Sequence, residues 1–246
     1  MKRYAISLMA VAVLGLAGCQ SGNVNGLVAA GQSLATAALL SDADAHALGD
    51  RTISQYDSKE KVAAKNSKYA KRLAQLTKNW RQVDGKSLEY KVYLKSDVNA
   101  FAVPNGSIRI YSGLMDAMND DELRYVIAHE IGHVVLGHSK NALQVAYGTS
   151  AVRQAIAASG SSTAAALSQS ALGALGEKLV NAQFSQKQEN EADDFALQFL
   201  QRNQYKTGGA VTALRKLESK YGNNSTIFSS HPAPGARAAR LEQKLR

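Results

Sequence analysis

Cysteine is nearly absent from this sequence, and its scarcity excludes two kinds of site. Cys19 is the single cysteine among 246 residues, so the chain has no internal disulfide and no zinc site built from several thiolates. The apolar stretch Tyr4–Leu16 is too short for a comfortable membrane-spanning helix. Hydrophobic residues make up 45% and charged residues 20% of the chain, which indicates a folded globular protein rather than a disordered one.

Clusters of positive charge are also lacking, although the formal net charge is +9. A basic balance of this size suggests nucleic acid or an anionic membrane surface as a partner. The lysines and arginines are dispersed, however, with no basic run and no basic-aromatic stripe. We therefore predict a solvated basic surface and no nucleic-acid partner.

The N-terminus explains the single cysteine. Met1–Arg3 is a short basic segment before the apolar stretch, and Leu16-Ala17-Gly18-Cys19 follows it. This order is typical of a secretory signal peptide, and Leu-Ala-Gly-Cys resembles the bacterial lipobox, in which the cysteine is acylated and becomes the new N-terminus. The alternative is an ordinary signal peptide with an incidental cysteine. We predict a signal peptide at residues 1–18 and lipidation of Cys19, which leaves a net charge of +7 after cleavage.

A lipid on Cys19 predicts where the mature protein resides. Several acyl chains, palmitate among them, anchor a protein stably at a bilayer. Gln20 rather than aspartate follows the cysteine, which by resemblance to the sorting of bacterial lipoproteins favours the outer membrane. We predict an outer-membrane lipoprotein with a tether at residues 19–40 and a domain at residues 41–246 that faces the periplasm.

Periodic patterns in the mature chain predict an α+β fold in which helices dominate. The predicted helices span residues 45–61, 66–84, 120–137, 141–158, 163–184, 187–203, 207–221 and 233–245. Alternation at period two predicts a strand at 88–94, and two short strands at 99–103 and 108–111 flank the turn Pro104–Gly106. We expect a small antiparallel sheet and no strand after Ser112.

The residues that carry chemistry are His129-Glu130-Ile131-Gly132-His133, within the helix predicted from Asp120. Two histidines four positions apart are separated by about 40° around a helix, so both rings project from one face and can bind the same zinc ion. Glu130 can remove a proton from a water molecule at that ion. The alternative is a helix with two core histidines, which would bury a glutamate without a partner.

A zinc site needs a third protein ligand, for which the sequence offers two places. The near one is His138, but a continuous helix would turn it about 180° away from His129, which favours a structural or supporting role. The far one is Glu189, with Asp193 four positions later on the same helix face. An aspartate there can hold the free ring N–H of a ligating histidine. Glu191 competes for the ligand role, and a solvated acidic face is the alternative for the whole cluster.

These two motifs resemble those of the HtpX-like gluzincin metallopeptidases, in the subgroup of periplasmic lipoproteins. The segment 99–114 and Ser230-His231-Pro232 with Arg237 are similar to other blocks of that family. The resemblance covers residues 41–246 and implies a zincin-like fold. It also implies one Zn²⁺ per chain. Any disulfide of relatives is excluded here by the lack of further cysteines.

The resemblance further implies a role for each motif residue. His129, His133 and Glu189 would bind zinc, and Glu130 would act as general base and then return a proton to the departing amine. Asp193 would orient a ligating histidine. His231 would stabilise the oxyanion or occupy the open zinc position in a resting state; a histidine stacked in a proline-rich loop is the alternative. The strands near Asn99–Tyr111 are candidates for pairing with an extended peptide.

The function predicted from these features is a membrane-anchored periplasmic zinc endopeptidase that acts on unfolded or misfolded envelope proteins. Other envelope proteases or assembly factors are expected as partners. A chaperone or assembly factor for outer-membrane proteins, with latent or secondary proteolysis, is the alternative. A purely structural lipoprotein would leave the zinc motif unexplained.

Overall fold

The computed structural model describes residues 41–147, 169–221 and 230–246. The predicted signal peptide, Cys19 and the tether lie outside these residues, as do parts of the helices predicted at 141–158 and 163–184. The elements are α1 (Asp42–Lys59), α2 (Lys68–Leu76), β1 (Gln82–Val83), β2 (Lys86–Ser87), β3 (Glu89–Tyr93), β4 (Ala100–Ala102), β5 (Ser107–Tyr111), α3 (Ser112–Ala117), α4 (Asp120–Val135), α5 (His138–Tyr147), α6 (Gln169–Val180), α7 (Gln186–Arg202), α8 (Gly208–Tyr221) and α9 (Pro234–Lys244). The predicted fold class, α+β with helices dominant, is confirmed.

Strands β3, β4 and β5 form a three-stranded sheet in the order β3-β5-β4. Strands β4 and β5 pair antiparallel as expected, across a turn in which Gly106 has a φ of +85° and a Cβ would lie 1.9 Å from the Ser87 carbonyl oxygen. Only glycine fits such a position. Strands β3 and β5 run parallel because the chain passes through β4 before β5 inserts between them. The sheet is therefore mixed, while β1 and β2 form a separate antiparallel pair.

The two faces of the sheet carry different apolar layers. Val92, Ile108 and Ile110 point to one face and join the core formed with α4, α7 and α8. Tyr93 and Tyr111 alternate with them along the strands and point to the other face, toward α1, α5 and α6. Burial of each such side chain contributes about 1.5–3 kcal/mol, so the sheet joins the two groups of helices.

Helix α4 carries the central motif and is buried along most of its length. A capping box fixes its start: the Asn119 side chain accepts from the Glu122 N–H, and the Glu122 carboxylate accepts from the Asn119 N–H. The helix ends at Val135, and Gly137, with a φ of +76°, redirects the chain into α5. Among the described residues, no helix has the length and apolar character needed to cross a membrane.

Some helix ends differ from the predicted ones because turns intervene. The helix predicted at 66–84 ends at Leu76, and the chain then forms the β1–β2 hairpin, with Asp84 and Gly85 at positive φ. The short helix α3 follows β5, although no pattern in the sequence predicts a helix there. The helix predicted from residue 141 begins at His138, directly after the glycine turn. This last difference matters for the site, because it redirects the ring of His138.

Candidate metal centre

Helix α4 presents its two histidines side by side, as their spacing predicts. The Nε2 atoms of His129 and His133 are 3.0 Å apart, and both side chains are buried. The ring of Phe184 stacks on His133 with a centroid distance of 3.8 Å. The two nitrogens therefore converge on one point in a site that excludes bulk water.

Helix α7 crosses α4 at this point and supplies a carboxylate. Gly132 permits the close approach, since a Cβ at this position would lie 3.2 Å from the Cα of Ala192. Glu189 Oε1 lies 3.3 Å from His133 Nε2, and its Oε2 lies 3.5 Å from His129 Nε2. The structure thus brings Glu189, the residue expected from the sequence as third ligand, to the two histidines.

His231, which precedes α9, reaches the same point from another direction. Its Nδ1 lies 3.3 Å from His129 Nε2 and 3.1 Å from Glu189 Oε1. The ring is buried, with 7% of the residue exposed. Of the roles weighed for His231, the position of its Nδ1 favours that of a fourth ligand.

The donor atoms of these four residues fit a tetrahedral metal ion. One donor atom from each of His129, His133, Glu189 and His231 lies within 4.8 Å of the other three, and all four residues are buried. The closest donor separations run from 3.0 to 3.5 Å. Donors bound to zinc at about 2.0–2.1 Å in a tetrahedron lie about 3.3 Å from one another. Three imidazoles and one carboxylate are also a donor set that suits zinc.

Asp193 holds the other side of His129, in the position expected from the sequence. Its Oδ1 lies 3.0 Å from His129 Nδ1 and accepts from the Tyr125 hydroxyl at 2.6 Å. Arg237 donates to both carboxylate oxygens, from Nη2 at 2.6 Å and from Nε at 2.9 Å. A carboxylate at Nδ1 favours the tautomer that leaves Nε2 free to bind a metal.

Arg237 also controls the charge of the carboxylates at the centre. Its Nη1 forms an ion pair with Glu189 Oε2, and its guanidinium is buried. Burial alone would raise the pKa of Glu189 and of Asp193, but the positive charge of Arg237 outweighs it and holds both pKa values well below the usual range. Both carboxylates are therefore ionised at neutral pH.

Glu130 lies beside the donor atoms with one oxygen available. Its Oε1 is 3.4 Å from His231 Nε2, and its buried Oε2 has no hydrogen-bond partner among the described residues. Burial raises the pKa of Glu130 above its ordinary value. A buried carboxylate with a free acceptor and a raised pKa can take a proton from water and return it.

His138 lies outside the group of donor atoms and next to one of its members. Because α4 ends before it, the ring turns back, and its Nδ1 lies 3.1 Å from His133 Nδ1. Its Nε2 lies 3.3 Å from Glu191 Oε2. Of the two glutamates weighed as ligands, Glu189 lies at the donor atoms, whereas Glu191 faces His138.

An apolar cavity adjoins Glu130 and opens beside the sheet. Its lining comprises Ala100, Tyr125, Val126, His129, Glu130, Leu214, Leu217, His231, Pro234 and Arg237. Ala100 belongs to β4, which pairs with β5 on one side and with no other strand in the described part of the chain. An unpaired strand edge thus lies close to Glu130.

Three residues of the centre were not assigned a role from the sequence. Tyr125 lies four positions before His129, and this helical spacing is a signal that could have placed it on the same face. Arg237 was noted only as part of a motif, because nothing in the sequence relates it to a carboxylate 44 positions earlier. Phe184 has no local signal, since only the tertiary fold brings it to His133.

Comparison with known proteins agrees with this geometry. Residues 63–245 match Peptidase family M48. The chain is 46% identical to Metalloprotease LoiP of Escherichia coli (strain K12) over 245 residues, which cover 99% of this chain and 96% of that protein. It is 42% identical to Metalloprotease YcaL of the same organism over 235 residues, or 94% of this chain and 92% of that protein.

A more distant similarity covers part of the chain. The Beta-barrel assembly-enhancing protease of Escherichia coli (strain K12) is 30% identical over 152 residues, which correspond to 58% of this chain and 31% of that protein. The similarity to LoiP and YcaL therefore extends over almost the whole chain, whereas this third one covers little more than half of it.

Proposed function

The chain belongs to peptidase family M48, the family to which its motifs pointed, and is a metalloprotease; from this membership we propose that it is a zinc endopeptidase of the bacterial envelope. The observation that carries the proposal is the buried group His129, His133, Glu189 and His231 with Glu130 beside it. A metal-binding protein without catalysis would have no use for a buried glutamate with a free oxygen, because that oxygen destabilises the fold.

The residues of the centre divide the reaction between them. When bound, zinc lowers the pKa of a water molecule and polarises the scissile carbonyl. Glu130 accepts the proton of the attacking water on its free Oε2 and then donates a proton to the departing amine. Asp193 and Arg237 keep His129 in the tautomer that binds metal and keep Glu189 ionised.

His231 would hold the metal ion together with the other three residues, in the place that a water molecule or a substrate carbonyl would need. Its Nδ1 completes the set of four donors, so we assign it to a resting state in which the protein itself supplies every ligand. Substrate entry requires this side chain to move, and its Nε2 can then donate to the oxyanion near Glu130. His231 would thus bind the metal ion in the resting state and stabilise the oxyanion during the reaction.

The free edge of β4 is the place where we expect the substrate to lie. An extended peptide can add to an unpaired strand edge through main-chain hydrogen bonds, and Ala100 on that strand lines the cavity beside Glu130. Such recognition requires an unfolded or extended segment, because folded chains rarely offer a free strand. This geometry favours unfolded or misfolded proteins as substrates.

The envelope location rests on the N-terminal sequence and on one relative. The Leu-Ala-Gly-Cys motif predicts an acylated Cys19, and the name of the Beta-barrel assembly-enhancing protease refers to the assembly of β-barrels. We propose quality control of outer-membrane proteins as the biological role. Assistance to their assembly, with proteolysis secondary, is the second candidate that this relative supports.

One experiment tests the enzymatic proposal and separates the two roles. An unfolded outer-membrane protein is incubated with the full chain, with its Glu130→Gln variant, and with each after chelation and zinc restoration. We expect cleavage by the zinc-loaded wild type alone. Cleavage that persists in Glu130→Gln would refute the catalytic assignment. Suppressed aggregation by Glu130→Gln without cleavage would favour the assembly role.

A second experiment tests the anchor. Cys19→Ala in the precursor should move the protein from the membrane fraction to the soluble periplasmic fraction, because no acyl chain is then attached. Cys19→Ala that remains in the membrane fraction would refute the lipid anchor.

A further inference from the structure

His138 is a buried titratable residue to which the proposed reaction gives no role. The residue is 4% exposed, and its Nδ1 points at His133 Nδ1 rather than into the group of donor atoms. The turn at Gly137, with its positive φ, places it there. A side chain that only fills the core would stabilise the fold better if it were apolar, because each nitrogen of a buried imidazole needs a hydrogen-bond partner.

The contacts of His138 form a continuous chain that ends on a carboxylate. Nδ1 of His133 and Nδ1 of His138 are 3.1 Å apart, and Nε2 of His138 is 3.3 Å from Glu191 Oε2. A histidine that binds metal through Nε2 carries its proton on Nδ1. His133 must then donate to His138 Nδ1, and His138 must carry its own proton on Nε2, where Glu191 accepts it.

The two metal-binding histidines of α4 are thus supported differently. His129 contacts the buried carboxylate of Asp193 directly. Among the residues that the structure describes, the neighbour of His133 Nδ1 is the imidazole of His138 rather than a carboxylate. Each histidine nevertheless has an acceptor at Nδ1, which is the requirement for Nε2 coordination.

We propose that His138, supported by Glu191, is a positioning residue that accepts a hydrogen bond from the Nδ1–H of His133 and thereby keeps Nε2 of His133 as its metal-binding atom. The proposal rests on the proposed function, since it presumes that the centre binds zinc. It gives His138 an effect on metal affinity that is separate from its contribution to packing.

The test compares two substitutions of similar size at residue 138. His138→Asn places an amide oxygen where Nδ1 stood, so the acceptor for His133 remains. His138→Leu fills the same space without an acceptor. Zinc dissociation constants are measured on the full chain by competition with a chromophoric chelator, and thermal unfolding of the metal-free proteins is recorded in parallel.

The expected order of zinc affinity follows from the acceptor. His138→Leu should raise the zinc dissociation constant about 10- to 100-fold, the usual effect of losing a partner of a ligating histidine, and His138→Asn should recover most of that loss. If His138 only packs in the core, the metal-free His138→Leu protein should be more stable than the metal-free His138→Asn protein. Both variants should then bind zinc as tightly as the wild type. Equal affinities of the leucine variant and the wild type would overturn the proposal.

Glu191 provides a second arm with a matched control. Glu191→Gln should raise the zinc dissociation constant by about threefold to tenfold, less than His138→Leu because 45% of the Glu191 side chain is exposed. Lys187→Gln removes the lysine whose Nζ lies 3.7 Å from Glu191 Oε1, and it should leave zinc affinity unchanged. A loss in Lys187→Gln as large as that in Glu191→Gln would contradict the role of Glu191.

The proton positions can be read directly. Long-range ¹H–¹⁵N spectra of the zinc-loaded wild type should show His133 protonated at Nδ1 and His138 protonated at Nε2. A proton on His138 Nδ1 would overturn the inference. If the wild type binds no zinc, the proposed function itself is wrong; if it binds zinc and His138→Leu binds it equally well, this inference alone fails.

Discussion

Helix α4 carries two buried glutamates whose replacement by glutamine should change the stability of the metal-free protein in opposite directions. Glu122 and Glu130 are each 2% exposed. Glu122 accepts from Lys216 Nζ at 2.5 Å and from the Asn119 N–H at 2.9 Å. Glu130 has a 3.4 Å contact to His231 and a second oxygen without a partner among the described residues. Glutamine keeps the shape of both side chains and removes their charge.

The pKa shifts give the direction of each effect. Burial raises the pKa of Glu130, so above the unfolded-state pKa of about 4.3 ionisation of Glu130 opposes folding, and this cost grows as the pH rises. Burial alone would also raise the pKa of Glu122, but the hydrogen bonds from Lys216 and Asn119 lower it. Ionised Glu122 therefore stabilises the fold above the unfolded pKa, and this contribution is lost as the pH falls through the folded pKa.

At neutral pH the metal-free Glu130→Gln protein should be more stable than the wild type by about 1 kcal/mol, because glutamine removes a buried charge whose desolvation no hydrogen bond compensates. Glu122→Gln should be less stable by about 1 kcal/mol, because the glutamine still caps the helix but loses the ion pair with Lys216. Urea unfolding of the chelated proteins at pH 7 measures both changes. If Glu130→Gln is destabilised as much as Glu122→Gln, the inference that buried Glu130 destabilises the fold is wrong.

The same two substitutions, Glu130→Gln and Glu122→Gln, distinguish an effect on catalysis from an effect on stability. Loss of a positioned general base lowers turnover by about 10²- to 10⁴-fold, so Glu130→Gln should bind a full equivalent of zinc and cleave an unfolded substrate at no more than a hundredth of the wild-type rate. Glu122→Gln should bind zinc and cleave at a rate close to that of the wild type. Undiminished turnover of Glu130→Gln would refute the mechanism.

Three further substitutions test the scaffold and the ligand set. Asp57→Asn weakens the two 2.9 Å contacts of the buried Arg109 to residue 57, while the 2.8 Å contact of Arg109 to Glu89 remains, and it should lower the free energy of unfolding by about 2 kcal/mol. Since the pKa of Asp57 is lowered, the difference in urea unfolding from the wild type should shrink as the pH falls below about 4. Gly132→Val should push α7 away at Ala192 and weaken zinc binding in a chelator competition, and unchanged zinc affinity would contradict the tight-crossing argument. Glu189→Ala should lose zinc on purification, and a full zinc equivalent by metal analysis would refute its role as a ligand.

The local features of this fold were predictable because they depend on neighbouring residues. The spacing of His129 and His133 determines that their rings share a helix face, and the turn at Gly106 determines the β4–β5 hairpin. The α5 start at His138 was missed because helical periodicity continued through residue 137. A glycine in an apolar helix pattern is compatible with both continuation and a turn, and the φ of +76° at Gly137 depends on how α5 packs.

The long-range features were predictable only where chemistry required a partner. A zinc motif with two histidines requires a third ligand, and this requirement pointed to Glu189, which lies 56 positions after His133 in the chain. No such requirement pointed to Arg237, because any lysine or arginine that the fold brings close can pair with a buried carboxylate. The parallel pairing of β3 with β5 was missed for a similar reason: strand order in a sheet depends on the helices packed on both faces, not on the strand residues.

The charges at the centre explain why the fold tolerates so many buried polar groups and why a divalent cation suits it. Glu130, Glu189 and Asp193 contribute three carboxylates, and Arg237 contributes one guanidinium that is buried with them. With all three carboxylates ionised and the histidines neutral, the remaining charge of −2 equals what a divalent metal ion neutralises. Without metal, the carboxylates must attract protons instead. Burial alone would lower the pKa of His231, but Glu189 and Glu130 outweigh it and raise that pKa. Binding of a dication at this centre should therefore release a proton from His231, so zinc affinity should rise with pH until that histidine is neutral.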